Sequence, residues 1–302
     1  MLTRSLLAGA ALTVTTTLAL ATPAAARTLE AVASFTVLAD MVRQVGGDHV
    51  HVVSLVPPNG DPHEFEPTPD DAKLLKTADV VFTSGLGLEG WFGRLAKAAG
   101  YQGKPVIASD GIKTRAMQED GRTIIDPHAW NSIPNALIYV ADITKALSKT
   151  DPEDAAAFEA NAARYSAQLK DLDSYARREI DAVPQAQRKV LTTHDALSYF
   201  GAAYHVTFIS PLGFSTENEP SAAQVAAVIR QIKAQHVGSY FFENSNDPRL
   251  VKQIAEATGA QPGGELYVEA LSPPDGPAAT YADMFKYDVD RLVAGMKTTP
   301  KS

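Results

Sequence analysis

Three histidines stand where an apolar run gives way to a tight loop. His63 lies in Gly60-Asp61-Pro62-His63-Glu64-Phe65-Glu66-Pro67-Thr68-Pro69, directly after the run His51 to Pro58. His128 lies in Asp126-Pro127-His128, and His194 ends the run Lys189-Val190-Leu191-Thr192-Thr193. Prolines 57, 58, 62, 67 and 69 fix φ around His63, so that loop loses little entropy when it orders and holds its imidazole in one orientation. Three imidazoles with one carboxylate from the C-terminal half suit a single divalent cation. Zn²⁺ is the best match, and Mn²⁺ is less matched to so many nitrogens. Glu269 follows Leu266-Tyr267-Val268 and is the candidate fourth ligand, with Glu265, Asp275 and Glu243 competing for that place. Asp61 and Asp126 each precede a candidate histidine by two residues, and Asp195 follows one. Each is placed to orient an imidazole, although aspartates in such loops cap turns at least as often. His49, His51, His205 and His236 share no such context and read as structural or exposed.

These side chains need a scaffold that ends several strands at one place. Short β-like runs at 30–37, 49–56, 80–83 and 106–108 alternate with helical stretches, and the alternation restarts at 190–193, 207–209, 239–242 and 266–268. The stretches 38–45, 70–78, 129–149, 196–204, 221–234, 248–258 and 281–296 read as helices. Such βα alternation predicts parallel sheets, whose ligands gather beyond the carboxyl ends of the strands. Between the two series, Asp151 as N-cap, Pro152 at the first helical position and acidic residues 153 and 154 open one long helix. Its apolar residues Phe158, Ala162, Tyr165, Leu169, Leu172 and Ala176 recur at spacings of four and three, and the pattern runs to Pro184. A helix of about 30 residues is roughly 45 Å long and reads as a spine. The predicted fold is α/β: two lobes, each a small mainly parallel sheet flanked by helices, joined by one long rigid helix. The boundaries fall at 27–150, 151–184 and 185–302. Two candidate ligands come from each side of the spine, so one cation would tie the lobes together.

Residues 1–26 read as a cleaved signal peptide, with Arg4, a small and apolar run from Ser5 to Ala21, and Pro23-Ala24-Ala25-Ala26 at the cleavage site. With no cysteine in the 302 residues, neither a disulfide nor a lipoprotein-type lipid is expected. The expected product is a soluble, periplasmic monomer without a lipid anchor. A net charge of −8 without basic clusters excludes nucleic acid as the partner, and 45% apolar residues exclude a disordered chain.

Several stretches together resemble one family. They are Leu55-Val56-Pro57-Pro58 with Asp61-Pro62-His63-Glu64-Phe65-Glu66-Pro67, Ala78-Asp79-Val80-Val81-Phe82 with Gly85-Leu86-Gly87-Leu88-Glu89, Asp126-Pro127-His128-Ala129-Trp130, His194-Asp195-Ala196-Leu197-Ser198-Tyr199-Phe200 and Met284-Phe285-Lys286-Tyr287-Asp288-Val289. Over essentially the whole mature chain the sequence is similar to the solute receptors of zinc and manganese ABC importers, the TroA/ZnuA-like or cluster A-I group. The resemblance implies two α/β lobes on a rigid helix and ligands at His63, His128, His194 and Glu269. It also implies a membrane permease and a cytoplasmic ATPase as partners, with a periplasmic metallochaperone as a further candidate. Similar receptors often have aspartate where this chain has Glu269. Zinc-type relatives commonly insert a histidine-rich loop before the second ligand, yet 110–125 contains no histidine. Manganese-type relatives tend to have glutamate where this chain has His194, which favours zinc as the transported ligand, with Mn²⁺ or Fe²⁺ as alternatives.

Two rivals belong to other classes. A zinc hydrolase would use three histidines and an acid, but His63-Glu64-Phe65-Glu66-Pro67 lacks the second histidine of His-Glu-x-x-His. An adhesion protein would need an anchor that the sequence does not supply. The chain is read as a non-enzyme.

Overall fold

In the computed structural model, which describes residues 27–119, 122–214, 216 and 220–297, the chain builds two parallel sheets in succession. The signal-peptide stretch 1–26 lies outside the described residues. The first lobe runs β1 (Leu29–Ala33), α1 (Thr36–Gly46), β2 (Val50–Ser54), α2 (Pro69–Thr77), β3 (Val80–Thr83), α3 (Phe92–Ala99) and β4 (Val106–Ile107). A hairpin of β5 (Ala116–Glu119) and β6 (Arg122–Ile125) follows, then α4 (Ile133–Thr150) and the long α5 (Ala155–Asp181). The second lobe runs β7 (Lys189–Leu191), α6 (Ser198–Tyr204), β8 (Thr207–Ile209), α7 (Ala222–Gln235), β9 (Ser239–Glu243), α8 (Arg249–Thr258), β10 (Gln261–Leu266) and α9 (Tyr281–Met296).

The strand orders are β2-β1-β3-β4 and β8-β7-β9-β10, so the second lobe repeats the topology of the first, and every pairing within the two sheets is parallel. In each lobe the chain reverses direction across the sheet beside its first strand. That leaves a crevice at the carboxyl ends of β1 and β7.

Several boundaries differ from the sequence expectation, and three of them have a local cause. The first strand stops at Ala33, because Phe35 is the extended residue that opens α1 and accepts its first helical hydrogen bond from Ala39. The spine opens at Ala155, not at Pro152. Asp151, held off helical geometry before a proline, turns its carboxylate onto the amides of Glu153 and Asp154 instead. The last strand is Gln261–Leu266, not 266–268. A Cβ on Gly263 would lie 2.3 Å from the Phe241 ring, so only glycine lets the two strands pack here.

α5 spans 27 residues, about 40 Å, and buries the single stripe Phe158, Ala162, Tyr165, Leu169, Ala176 and Ile180. It packs on α1 and α4 of the first lobe and on α6 and α9 of the second. One apolar core runs through both lobes along this helix, from Val32 and Phe82 through Trp130 and Tyr165 to Phe241 and Leu292. A smaller cluster, with Leu191, Ile209, Ile232 and Ile254, lies under α7 and α8. Among the described residues no helix is long and apolar enough to cross a membrane.

Candidate metal centre

The four sequence-selected side chains come from four different loops. His63 follows β2, where the indole N–H of Trp91 donates to the Pro62 carbonyl at 2.7 Å and pins the loop. Asp61 takes the His63 backbone N–H at 2.7 Å, so this aspartate orders the main chain, not the ring. His128 follows β6. Its ring Nδ1 and its backbone N–H both meet Asp126 Oδ1, at 2.8 and 2.9 Å, and the Ser198 hydroxyl donates to the other carboxylate oxygen. His194 follows β7 and is oriented by Glu243, the last residue of β9. Oε1 of Glu243 accepts the amides of Thr193 and His194 at 3.2 and 3.3 Å, and Oε2 meets the ring Nδ1. Glu269 lies three residues past β10, next to Val268, whose carbonyl accepts the Trp130 indole N–H at 2.8 Å.

The structure brings the four together in the buried interior between the lobes, with their nearest atoms all within 4.8 Å of one another. Oε1 of Glu269 lies 2.8, 3.0 and 3.3 Å from Nε2 of His63, His128 and His194. The His128 Nε2 lies 3.1 Å from that of His63 and 3.4 Å from that of His194. Ligands about 2.05 Å from a tetrahedral ion are separated by edges of about 3.3 Å, close to these spacings. With Nδ1 of His128 and His194 donating to carboxylates, the Nε2 lone pairs face inward. Lone pairs and a carboxylate oxygen at such distances repel unless a cation or protons lie between them.

Without a cation, protons supply that attraction. Burial alone would push Glu269 up, but His194 and His63 outweigh it and hold the carboxyl well below the usual range. Burial likewise opposes charge on His194 and His128. Glu243 with Glu269, and Asp126 with Glu269, nevertheless raise the two imidazoles. The donor set is therefore anionic enough to hold positive charge in a site closed to water, which fits a dication.

Of the competing carboxylates, Glu243 supports His194 from behind, and Glu265 accepts from the Tyr267 hydroxyl at 3.1 Å. Asp195 makes its backbone bond to the Gly213 carbonyl. The remaining histidines have other duties: His49 and His51 pair with Asp154 and Glu30, and His205 and His236 close α6 and α7 in left-handed geometry. In the sequence Glu243 stands only as a rival ligand. Its position at the end of an apolar run, the same context as the histidines, was the signal for its place at the site.

Two parallel-sheet lobes on a helical spine, closing over this cluster, give the chain the fold of the TroA-like periplasmic metal-binding proteins. It superposes on the periplasmic zinc binding protein TroA from Treponema pallidum with a TM-score of 0.84 at 27% identity, over 89% of this chain and 99% of that one. The Mn-bound periplasmic metal binding protein from Candidatus Liberibacter asiaticus gives 0.81 at 30% identity, with the same coverage. The iron ABC transporter substrate-binding lipoprotein MtsA of Streptococcus pyogenes serotype M1 is 31% identical over 277 residues, covering 89% of each chain. The family ZnuA, zinc-uptake complex component A, periplasmic, matches residues 31–295. The chain belongs to that family.

Proposed function

We propose that the protein is a periplasmic substrate receptor that takes Zn²⁺ between its lobes on His63, His128, His194 and Glu269 and delivers it to the permease of an ABC importer. A cytoplasmic ATPase drives the import. The observation that carries this reading is the convergence of three inward Nε2 atoms on Glu269 Oε1 at the spacing of a tetrahedral shell. Three nitrogens favour Zn²⁺ over Mn²⁺. Four protein ligands also leave no open tetrahedral position for an attacking water, which argues against a hydrolase. The boundaries 27–150, 151–184 and 185–302 give each lobe two of the four ligands.

A Mn²⁺ receptor is the second reading, supported by the Mn-bound structure of the Liberibacter protein. Chelator competition with Zn²⁺ and Mn²⁺ on the metal-stripped chain from residue 27, wild type and His194→Ala, separates them. Tight Zn²⁺ binding that the variant loses, with Mn²⁺ far weaker, is the expected result. Preference for Mn²⁺ moves the assignment to the second reading, and binding of neither removes the site.

A further inference from the structure

The two sides of the cluster are closed in different ways. Behind Glu269 the lobes are joined by buried bonds: Trp130 Nε1 to the Val268 carbonyl at 2.8 Å, the Leu271 amide to Thr36 Oγ1 at 2.9 Å, and the Tyr281 amide to Asp40 Oδ2 at 2.9 Å. In front of it, a cavity of about 410 Å³ is lined by Asp61, Glu64, Thr193, Thr216, Ser245 and Asn246, among others. Ser245 of that lining donates to Glu269 Oε2 at 3.3 Å, and Thr193 precedes His194, so the cavity lies beside the cluster, one layer of side chains away. Along this outer lining the lobes are joined by half-buried polar contacts. Asp61 Oδ2 accepts from the Thr216 hydroxyl at 2.7 Å and from the Asn246 amide at 3.1 Å, while Oδ1 of the same carboxylate holds the His63 N–H. Two residues earlier, Asn59 accepts from the Asn244 side chain at 2.9 Å and donates its amide to the Leu271 carbonyl.

We propose that Asp61 is a positioning residue that clasps the His63 loop to the second lobe, and that opening of its bonds to Thr216 and Asn246 sets the rate at which a bound divalent cation leaves. The proposal rests on the reading of the cluster as a cation site. The chemistry at 61 is specific. Three donors converge on the side chain, and only a carboxylate offers them two acceptor oxygens. An asparagine there keeps the His63 bond but turns an NH₂ against the NH₂ of Asn246, and Thr216 can stay bound only by turning its hydroxyl from donor to acceptor. Half-buried bonds of this kind are individually modest and exposed to water, so they open more readily than the buried ones behind Glu269. The large shared apolar core leaves little room for a wide hinge motion, which places release at this rim.

Release of Co²⁺ into excess chelator, followed by stopped-flow absorbance, tests this in the metal-loaded chain. Asp61→Asn and the pair Thr216→Val with Asn246→Ala are each expected to release metal about tenfold faster. The Co²⁺ ligand-field spectrum should stay at the wild-type position, and Thr216→Ser should release at the wild-type rate. The triple variant should be no faster than Asp61→Asn alone, since both changes open one clasp. Release by the Thr216/Asn246 pair within twofold of wild type overturns the clasp. A shifted spectrum in the pair also overturns it, because the effect would then lie in the ligand shell. Wild type that takes up no Co²⁺ instead defeats the reading of the cluster itself.

Discussion

Glu243 meets His194 on both its ring and its backbone, with Oε2 on the imidazole Nδ1 and Oε1 3.3 Å from the amide nitrogen. One carboxylate thus fixes the side-chain rotation and the loop at once. Glu243→Gln keeps the volume but removes the charge that makes Nε2 a strong donor. Zn²⁺ affinity should fall roughly 10–100-fold, and because the amide has one acceptor oxygen for three buried donors, the metal-free protein should also lose about 1–3 kcal/mol. Chelator competition beside a thermal melt reads both. An unchanged affinity would reduce Glu243 to a structural role.

Metal removal should cost stability by mass action. Free Zn²⁺ held at about 100 times its dissociation constant should stabilise the fold by about 2.7 kcal/mol, seen as a rise of a few degrees in melting temperature that EDTA reverses. In His128→Ala the rise should vanish. A rise of wild-type size in that variant would place the binding elsewhere.

Asp288 is buried on α9 and accepts the Tyr267 amide at 3.0 Å. Burial drives its carboxyl well above the ordinary value; the amide bond opposes the shift, and Glu243 and Glu265 reinforce it. The folded state therefore holds this proton more tightly than the unfolded chain. Its stability should decline as pH rises from the unfolded value of about 3.9 through the folded one. Asp288→Asn keeps an acceptor and drops the charge, so it should be more stable than wild type at pH 8. The difference should shrink on acidification. Urea titrations across pH measure the gap, and a pH-independent gap would remove the titration from the account.

The Phe241 ring is held between two glycines, since a Cβ would lie 2.3 Å from it at Gly263 and 2.4 Å at Gly295. Gly295→Ala gains helix propensity yet overpacks the core, and the net loss should be about 1–3 kcal/mol. Adding Phe241→Leu should recover part of it, which denaturant midpoints would register. Simple addition of the two losses would show that the ring is not the obstacle.

Legibility in the sequence followed the strength of the local signal. The one-sided stripe of α5 and the strand-end histidines are patterns a chain displays without its partners, and they led to the spine and to three of the four converging side chains. Glu269 stands out in sequence by the β-like run before it and by the family resemblance, but the residues alone leave Glu265, Asp275 and Glu243 in competition, because carboxylates crowd this stretch without a tight motif. The β5–β6 hairpin has only a short local signal, Asp120-Gly121 in the sequence, and no apolar alternation strong enough to mark its strands. β10 was misplaced because its glycines answer to Phe241, a contact made across the sheet. The contacts of Asp61 with Thr216 and Asn246 join residues 155 and 185 positions apart, beyond the reach of any local pattern.

The apolar interior that passes without a break from β1 to α9 also governs how the molecule comes apart. Neither half owns the main core, because α5 packs on α1 and α4 of one lobe and on α6 and α9 of the other, and the cluster under α7 and α8 is small beside it. Heating should give a single calorimetric transition for the whole chain, and neither half expressed separately should fold. A carrier built in this way behaves mechanically as one solid body. Whatever draws the cargo out of it has to work against a few loop contacts at the surface, and the frame itself stays still.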